Sequence, residues 1–177
     1  MLTTNFKKIL TRAIFNSSAS GTDGDPNLSE AFTMIGASGS EITTKTGRNP
    51  MNALINVFNN PYTTSSGDSA YIKIFCRLGT GTTAATEEDY WLETQDDNLT
   101  CSSAVASETD ANTKVYTFTF TNPTNADITI TETALGIKLD TNVLSENSSV
   151  MLDRTVLDTP ITFSAGETKA ITYEIGF

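Results

Sequence analysis

Between positions 114 and 139 the chain reads KVYTFTFTNPTNADITITETALGIKL. Tyr116, Phe118 and Phe120 alternate with Thr117, Thr119 and Thr121, a period of two that turns rings to one face of a strand and hydroxyls to the other. Asn122, Pro123, Thr124 and Asn125 interrupt the alternation with turn formers, since Pro123 fixes φ and has no donor. Ile128 and Ile130 resume it, so the pattern predicts an antiparallel hairpin. The inward parity then changes, because Ile128 and Ile130 are even-numbered while Leu135, Ile137 and Leu139 are odd. That change predicts a β-bulge or strand break between Thr131 and Ala134. Each strand has one apolar face, and a second layer must cover it.

The rest of the chain supplies short strands. Residues 31–35 and 40–44 flank Gly36-Ala37-Ser38-Gly39, a hairpin spacing. In residues 69–78, Ile72, Ile74, Cys76 and Leu78 share a face opposite Lys73 and Arg77, so Cys76 reads as a small core residue. Residues 50–58 are apolar without a clean period, and Asn59-Asn60-Pro61 ends them. Residues 79–93 read as a long glycine-started loop that returns to anchor Tyr90, Trp91 and Leu92 on the core. Further strands are expected at 98–106, 149–157, 160–163 and 169–177, the last sharing one parity through Ile171, Tyr173, Ile175 and Phe177. Short strands with turns every 8–12 residues predict an all-β, antiparallel β-sandwich, immunoglobulin-like or jelly-roll in order. Ahead of it, Leu2, Phe6, Ile9, Leu10, Ala13 and Ile14 lie on one face of an amphipathic helix over residues 1–15, which Thr3 or Thr4 can cap. Residues 16–29, rich in Ser, Gly, Asp and Asn, form a linker, and 30–177 the sandwich domain.

Composition sharpens this picture. A chain of 177 residues is long enough to bury a core without staples. Its net charge of −10 would repel a nucleic-acid backbone. The charge is uneven: residues 1–15 hold Lys7, Lys8 and Arg12 and no acid, leaving −13 for the remainder. The helix face can pack on its own domain, dock as an arm on a neighbouring subunit, or lie on a membrane surface; the last is the weakest reading. No apolar run approaches a membrane span, and Arg12 breaks up any signal-peptide core, so the expected compartment is the cytoplasm, with Cys76 and Cys101 as free thiols.

The chain has no histidine, which removes the usual general base and the commonest metal ligand. Asp23, Asp25 and Asn27 imitate the opening of a calcium loop, but Leu28 stands where glycine is required and Met34 where the bidentate Glu belongs. Gly79, Gly81 and Ala84 imitate a dinucleotide fingerprint without the following apolar helix. Glu87-Glu88 and Asp96-Asp97 are acid pairs of a solvated kind. No catalytic constellation, metal site or cofactor is expected, so the chain reads as a non-enzyme. Trp91 is expected to plug the core, or alternatively to form with Tyr90 a platform for stacking on sugars.

Three parts of the sequence resemble small virion structural proteins of tailed bacteriophages, of the head-fibre, decoration or tail kind. MLTTNFKKIL resembles their start helix, and LGTGTTAATEEDYWLE a recurrent loop in which Gly-x-Gly-Thr-Thr precedes Asp-Tyr-x-Leu-Glu. TNPTNADITITETALGI with VMLDRTVLDTPITFSAGETKAITYEI is similar to their immunoglobulin-like ending. The resemblance implies a virion component, assembled in the host cytoplasm, that binds other virion proteins and itself. The candidate docking residues are Leu2, Phe6, Ile9, Leu10 and Ile14. The competing expectation is a carbohydrate-binding or adhesin module using Tyr90 and Trp91.

Overall fold

The computed structural model describes residues 1–7, 33–43, 72–110, 113–139 and 148–176. Eight strands occur there: β1 (Thr33–Ile35), β2 (Glu41–Thr43), β3 (Ile72–Gly79), β4 (Thr100–Asp110), β5 (Thr113–Thr121), β6 (Ile128–Leu139), β7 (Ser148–Phe163) and β8 (Thr168–Gly176). They form a β1-β2 pair and two three-stranded sheets, ordered β3-β6-β7 and β4-β5-β8. Every pairing is antiparallel, the arrangement that suits strands with one apolar and one polar face.

The alternations land where expected. Tyr116, Phe118 and Phe120 are buried, with the intervening threonines half-buried. Ile74, Cys76 and Leu78 of β3 are buried, and so is Ile171 of β8. Both three-stranded sheets contribute to one hydrophobic cluster, which also takes in Ile130, Leu135, Val150 and Phe163. Cys76 and Cys101 are free thiols, and burial pushes the pKa of both up.

The central hairpin is not formed. β5 pairs with β4 and β8, whereas β6 pairs with β3 and β7, so residues 122–127 carry the chain from one sheet to the other. A strand with one apolar face alternates identically in either arrangement, so period alone does not select the partner. Asn122 makes the crossing. Fully buried, it donates from Nδ2 to the carbonyls of Ala126 (2.8 Å), Phe163 (3.0 Å) and Ser164 (3.2 Å). Its Oδ1 accepts from Thr124 N–H (2.9 Å) and Oγ1 (2.7 Å). Its backbone exchanges bonds with the 164–167 turn, donating to Glu167 O and accepting from Gly166 N–H. That turn links β7 to β8 and is the last of three passages between the sheets, after residues 80–99 and 122–127.

The irregularity expected in β6 is present, with the extra residues on its partner. Ile130 pairs with Ile161 and Glu132 with Val156, so Thr131 alone faces residues 157–160 of β7. Pro160, which has no N–H for a ladder, lies in that bend. The segments 149–157 and 160–163, expected as two strands, are therefore one bent strand, β7. A second shift follows: Leu135 pairs with Asp153 but Gly136 with Met151, leaving Leu152 as an inserted residue.

At the other end of the chain, residues 4–7 form a helical turn capped by Thr3, whose Oγ1 accepts Phe6 N–H at 3.3 Å. β1 and β2 make the expected hairpin, its turn held by Gly39 at φ 78°. The remainder of the expected helix, the linker 16–29 and the apolar run 50–58 lie outside the described residues.

Asn122→Ala takes a donor from the buried carbonyl of Phe163 and from the part-buried carbonyls of Ala126 and Ser164. It should lower unfolding free energy by about 2–4 kcal/mol in urea titration, more than an exposed Asn125→Ala control.

Candidate functional site

The second register shift decides which way Arg154 points. Along an unbroken strand Val150, Leu152 and Arg154 would share the core face. The inserted Leu152 lets Arg154 pair with Ala134 on the opposite face, where Glu132, Ala134 and Gly136 lie. That outer face of the β3-β6-β7 sheet is covered by residues 80–99. The covering loop is pinned at its base by Thr80 N–H to Thr94 O (2.8 Å) and Asp96 N–H to Leu78 O (2.9 Å). Leu92 packs on Ala134 and Met151, with half-buried Trp91 beside them.

Under the loop Glu132 is completely buried and Arg154 is 3% exposed. Glu132 Oε1 accepts from the backbone N–H of Gly81 (3.0 Å) and Thr94 (2.8 Å). Oε2 accepts from Glu93 N–H (3.2 Å) and Arg154 Nε (2.8 Å). The guanidinium is shared further, with Nη1 donating to Asp89 Oδ2 (2.8 Å) and Nη2 to Thr83 O (3.1 Å), while Glu93 Oε2 lies 3.5 Å from Nη2. Glu93 in turn accepts from Thr82 N–H, Thr83 N–H and Thr83 Oγ1 at 2.7–2.8 Å. Gly81 must be glycine, because a Cβ there would stand 2.5 Å from Glu93 Cβ and 2.6 Å from Glu132 Oε1.

The electrostatics follow from these partners. Burial works to raise the pKa of Asp89, but the Thr86 and Arg154 hydrogen bonds outweigh it and hold the carboxyl below its usual range. Hydrogen bonds from Thr83 do the same for Glu93. For Arg154, burial opposes the cation, and the bonds to Asp89 and Glu132 more than offset it. Carboxylates held as anions by donors are poor proton donors at neutral pH, so the cluster is arranged to fix a loop rather than to move protons. Among the described residues every buried side-chain nitrogen and oxygen has a partner, and no three His, Cys, Asp or Glu side chains are placed to hold a metal.

The residues singled out in the sequence are dispersed. Leu2 is 47% exposed at the β7 edge, where it bridges Asp153, whereas Phe6 is buried in the chain's own core. Phe6 therefore presents no face to a partner while residues 1–7 are seated. Ile9, Leu10 and Ile14 lie outside the described residues. Tyr90 does not anchor the loop in the core: it is 45% exposed, and its ring lies against Gly39. Trp91 is neither a full plug nor a free platform. It tilts on Phe75 with centroids 5.8 Å apart, and its indole N–H is taken by Gln95 Oε1 at 3.0 Å. Glu132 and Arg154 were not singled out. Glu132 is one of two charges in β6 and Arg154 one of three in β7, so nothing local marked this pair of opposite signs before the register brought them together.

Comparison with known proteins adds no relative, since no family model, curated protein or solved structure matches the chain.

Glu132→Gln takes from Arg154 its one fully buried carboxylate, leaving the more exposed Asp89 and Glu93, and turns an amide N–H toward donors. It should cost about 3–5 kcal/mol in urea unfolding and alter the folded-state fluorescence of Trp91, the single tryptophan. Because the folded pKa values of Asp89 and Glu93 are depressed, the loop's ionic support is complete above their unfolded pKa values and lost as pH falls through the folded ones. Stability should thus stay level above about pH 5 and fall below about pH 4, with the Trp91 signal changing in step.

Proposed function

We propose that this chain is a structural component of a tailed-bacteriophage virion, capsid-associated or in the collar or tail. It is made in the host cytoplasm and acts by assembling with other virion proteins and with itself. We also read the two three-stranded sheets as facing layers of a β-sandwich, immunoglobulin-like or jelly-roll in strand order; their common core supports this.

One observation carries the virion reading. The separate stretches that resemble phage proteins meet at one physical unit. LGTGTTAATEEDYWLE supplies Gly81, Thr83, Asp89 and Glu93, the TITETALGI strand supplies Glu132, and VMLDRTVL supplies Arg154. MLTTNFKKIL joins them, because Thr3 N–H bonds Leu152 O and Thr4 N–H bonds Glu87 O. A pattern shared as a linked structural unit, with its polar groups saturated internally, suits a building block more than a catalyst. The net charge of −10 argues against nucleic acid as partner, and no helix of the described residues is long and apolar enough to cross a membrane.

The carbohydrate-binding alternative draws on the exposure of Tyr90. It is the weaker reading, because Trp91 is spent on Phe75 and Gln95, leaving a single ring where stacking on a sugar needs an open face.

Light scattering after size-exclusion chromatography, with a glycan array in parallel, separates the two. A closed oligomer without glycan binding is expected. A monomer that binds glycans and loses binding in Tyr90→Ala would overturn the structural reading.

A further inference from the structure

We propose that Cys76 and Cys101 close into one disulfide across the core, and that this bond locks the loop covering Glu132 and Arg154. The modification goes beyond the assembly reading above and rests only on the reading of the two sheets as facing layers.

The topology brings the two thiols together. Residues 80–99 join β3 to β4, 122–127 join β5 to β6, and 164–167 join β7 to β8. Facing layers therefore stack β3 on β4, β6 on β5 and β7 on β8. The sheets touch directly, since Tyr173 of β8 donates to Thr133 Oγ1 of β6 at 2.5 Å. Cys76 is paired with buried Leu135 and Cys101 with buried Phe120, so each cysteine belongs to the inner face of its sheet. Both join the same hydrophobic cluster, Cys76 buried and Cys101 half-buried. Their level is set at the base of the covering loop, where Asp96 N–H bonds Leu78 O. A position two residues beyond Cys76 is thus in contact with one five residues before Cys101.

Electrostatics agree with this placement. Burial holds the Cys76 thiol well above its ordinary range, and the charge of Cys101 adds to the effect, an influence that falls away with distance. Burial also raises the Cys101 thiol. Each S–H donates within its own strand, Cys76 to Arg77 O at 3.7 Å and Cys101 to Ser103 O at 3.5 Å.

Thiolate is scarce in such a pair, so it stays reduced in a reducing compartment and closes where a low-molecular-weight disulfide is abundant. Cys101, the more accessible, loses its proton and attacks one sulfur of that disulfide, breaking its S–S bond and releasing one thiolate. Cys76, deprotonated in turn, attacks the Cys101 sulfur of the mixed disulfide and releases the second. The chain gives up two electrons and two protons, and the small disulfide becomes two thiols. The new bond encloses residues 77–100, with Gly81, Asp89 and Glu93 among them. It ties both ends of the covering loop together and restricts the unfolded chain.

The test is equilibration of the full chain in glutathione buffers of graded oxidised-to-reduced ratio, native and in urea. Acid quenching, maleimide alkylation of the unfolded chain and intact mass then count the free thiols. The native chain should lose both thiols as a monomer at a ratio roughly 30-fold or more below that needed in urea. An equal or higher ratio in the native chain, a persistent glutathione adduct, or disulfide-linked dimers would overturn the lock. Selective 13C labelling of cysteine separates the failures, because the chain holds only these two. A nuclear Overhauser effect between them in the reduced protein, without closure, overturns the lock and leaves the facing layers standing. Absence of that effect overturns both.

Discussion

The structure depends on one ion pair removed from water. Each buried charge costs several kcal/mol in lost hydration, which a partner offsets only when every remaining donor and acceptor is also satisfied. Glu132 meets that condition with three backbone N–H groups and a guanidinium nitrogen, and Arg154 meets it with two carboxylates and a carbonyl. The satisfaction is supplied by loop backbone, so the cost of burying the pair and the ordering of the loop are a single problem. The threonine-rich start of the loop offers little apolar surface to hold it down, and the charge it covers does so there, while Leu92 and Trp91 pack its far side on the sheet.

Other features converge on the same three residues of β7. Leu152 is the inserted residue that turns Arg154 outward, Asp153 faces the chain's first residue, and the backbone of Leu152 and Arg154 carries the short N-terminal strand. That strand shields part of a sheet edge that would otherwise offer free donors and acceptors. Asn122 plays a comparable part with neutral chemistry, tying the 122–127 and 164–167 crossings together through one amide. Core, edge and crossings are thus held by few polar groups, each used to capacity.

Such an arrangement leaves a consistent functional picture. Its buried polar groups, among the described residues, are satisfied internally, and donors hold Asp89 and Glu93 ionised.

Much of this was legible in the residues themselves. Thr117, Phe118 and their neighbours set the faces of β5, the parity change from Ile130 to Leu135 located an irregularity in β6, Thr3 and Thr4 were the two cap candidates of which the structure uses Thr3, and the absence of histidine narrowed the chemistry. These are local consequences of period, turn chemistry and composition. The choice between a hairpin and a crossing after Thr121 was not local, because alternation gives the same faces for either partner. Nor was the meeting of Glu132 with Arg154, which are 22 residues apart and share a face only because Leu152 is inserted between the paired positions. Sequence determined which side of each strand is apolar; tertiary structure decided which strands pair and in what register, since those choices depend on contacts between residues far apart in the chain.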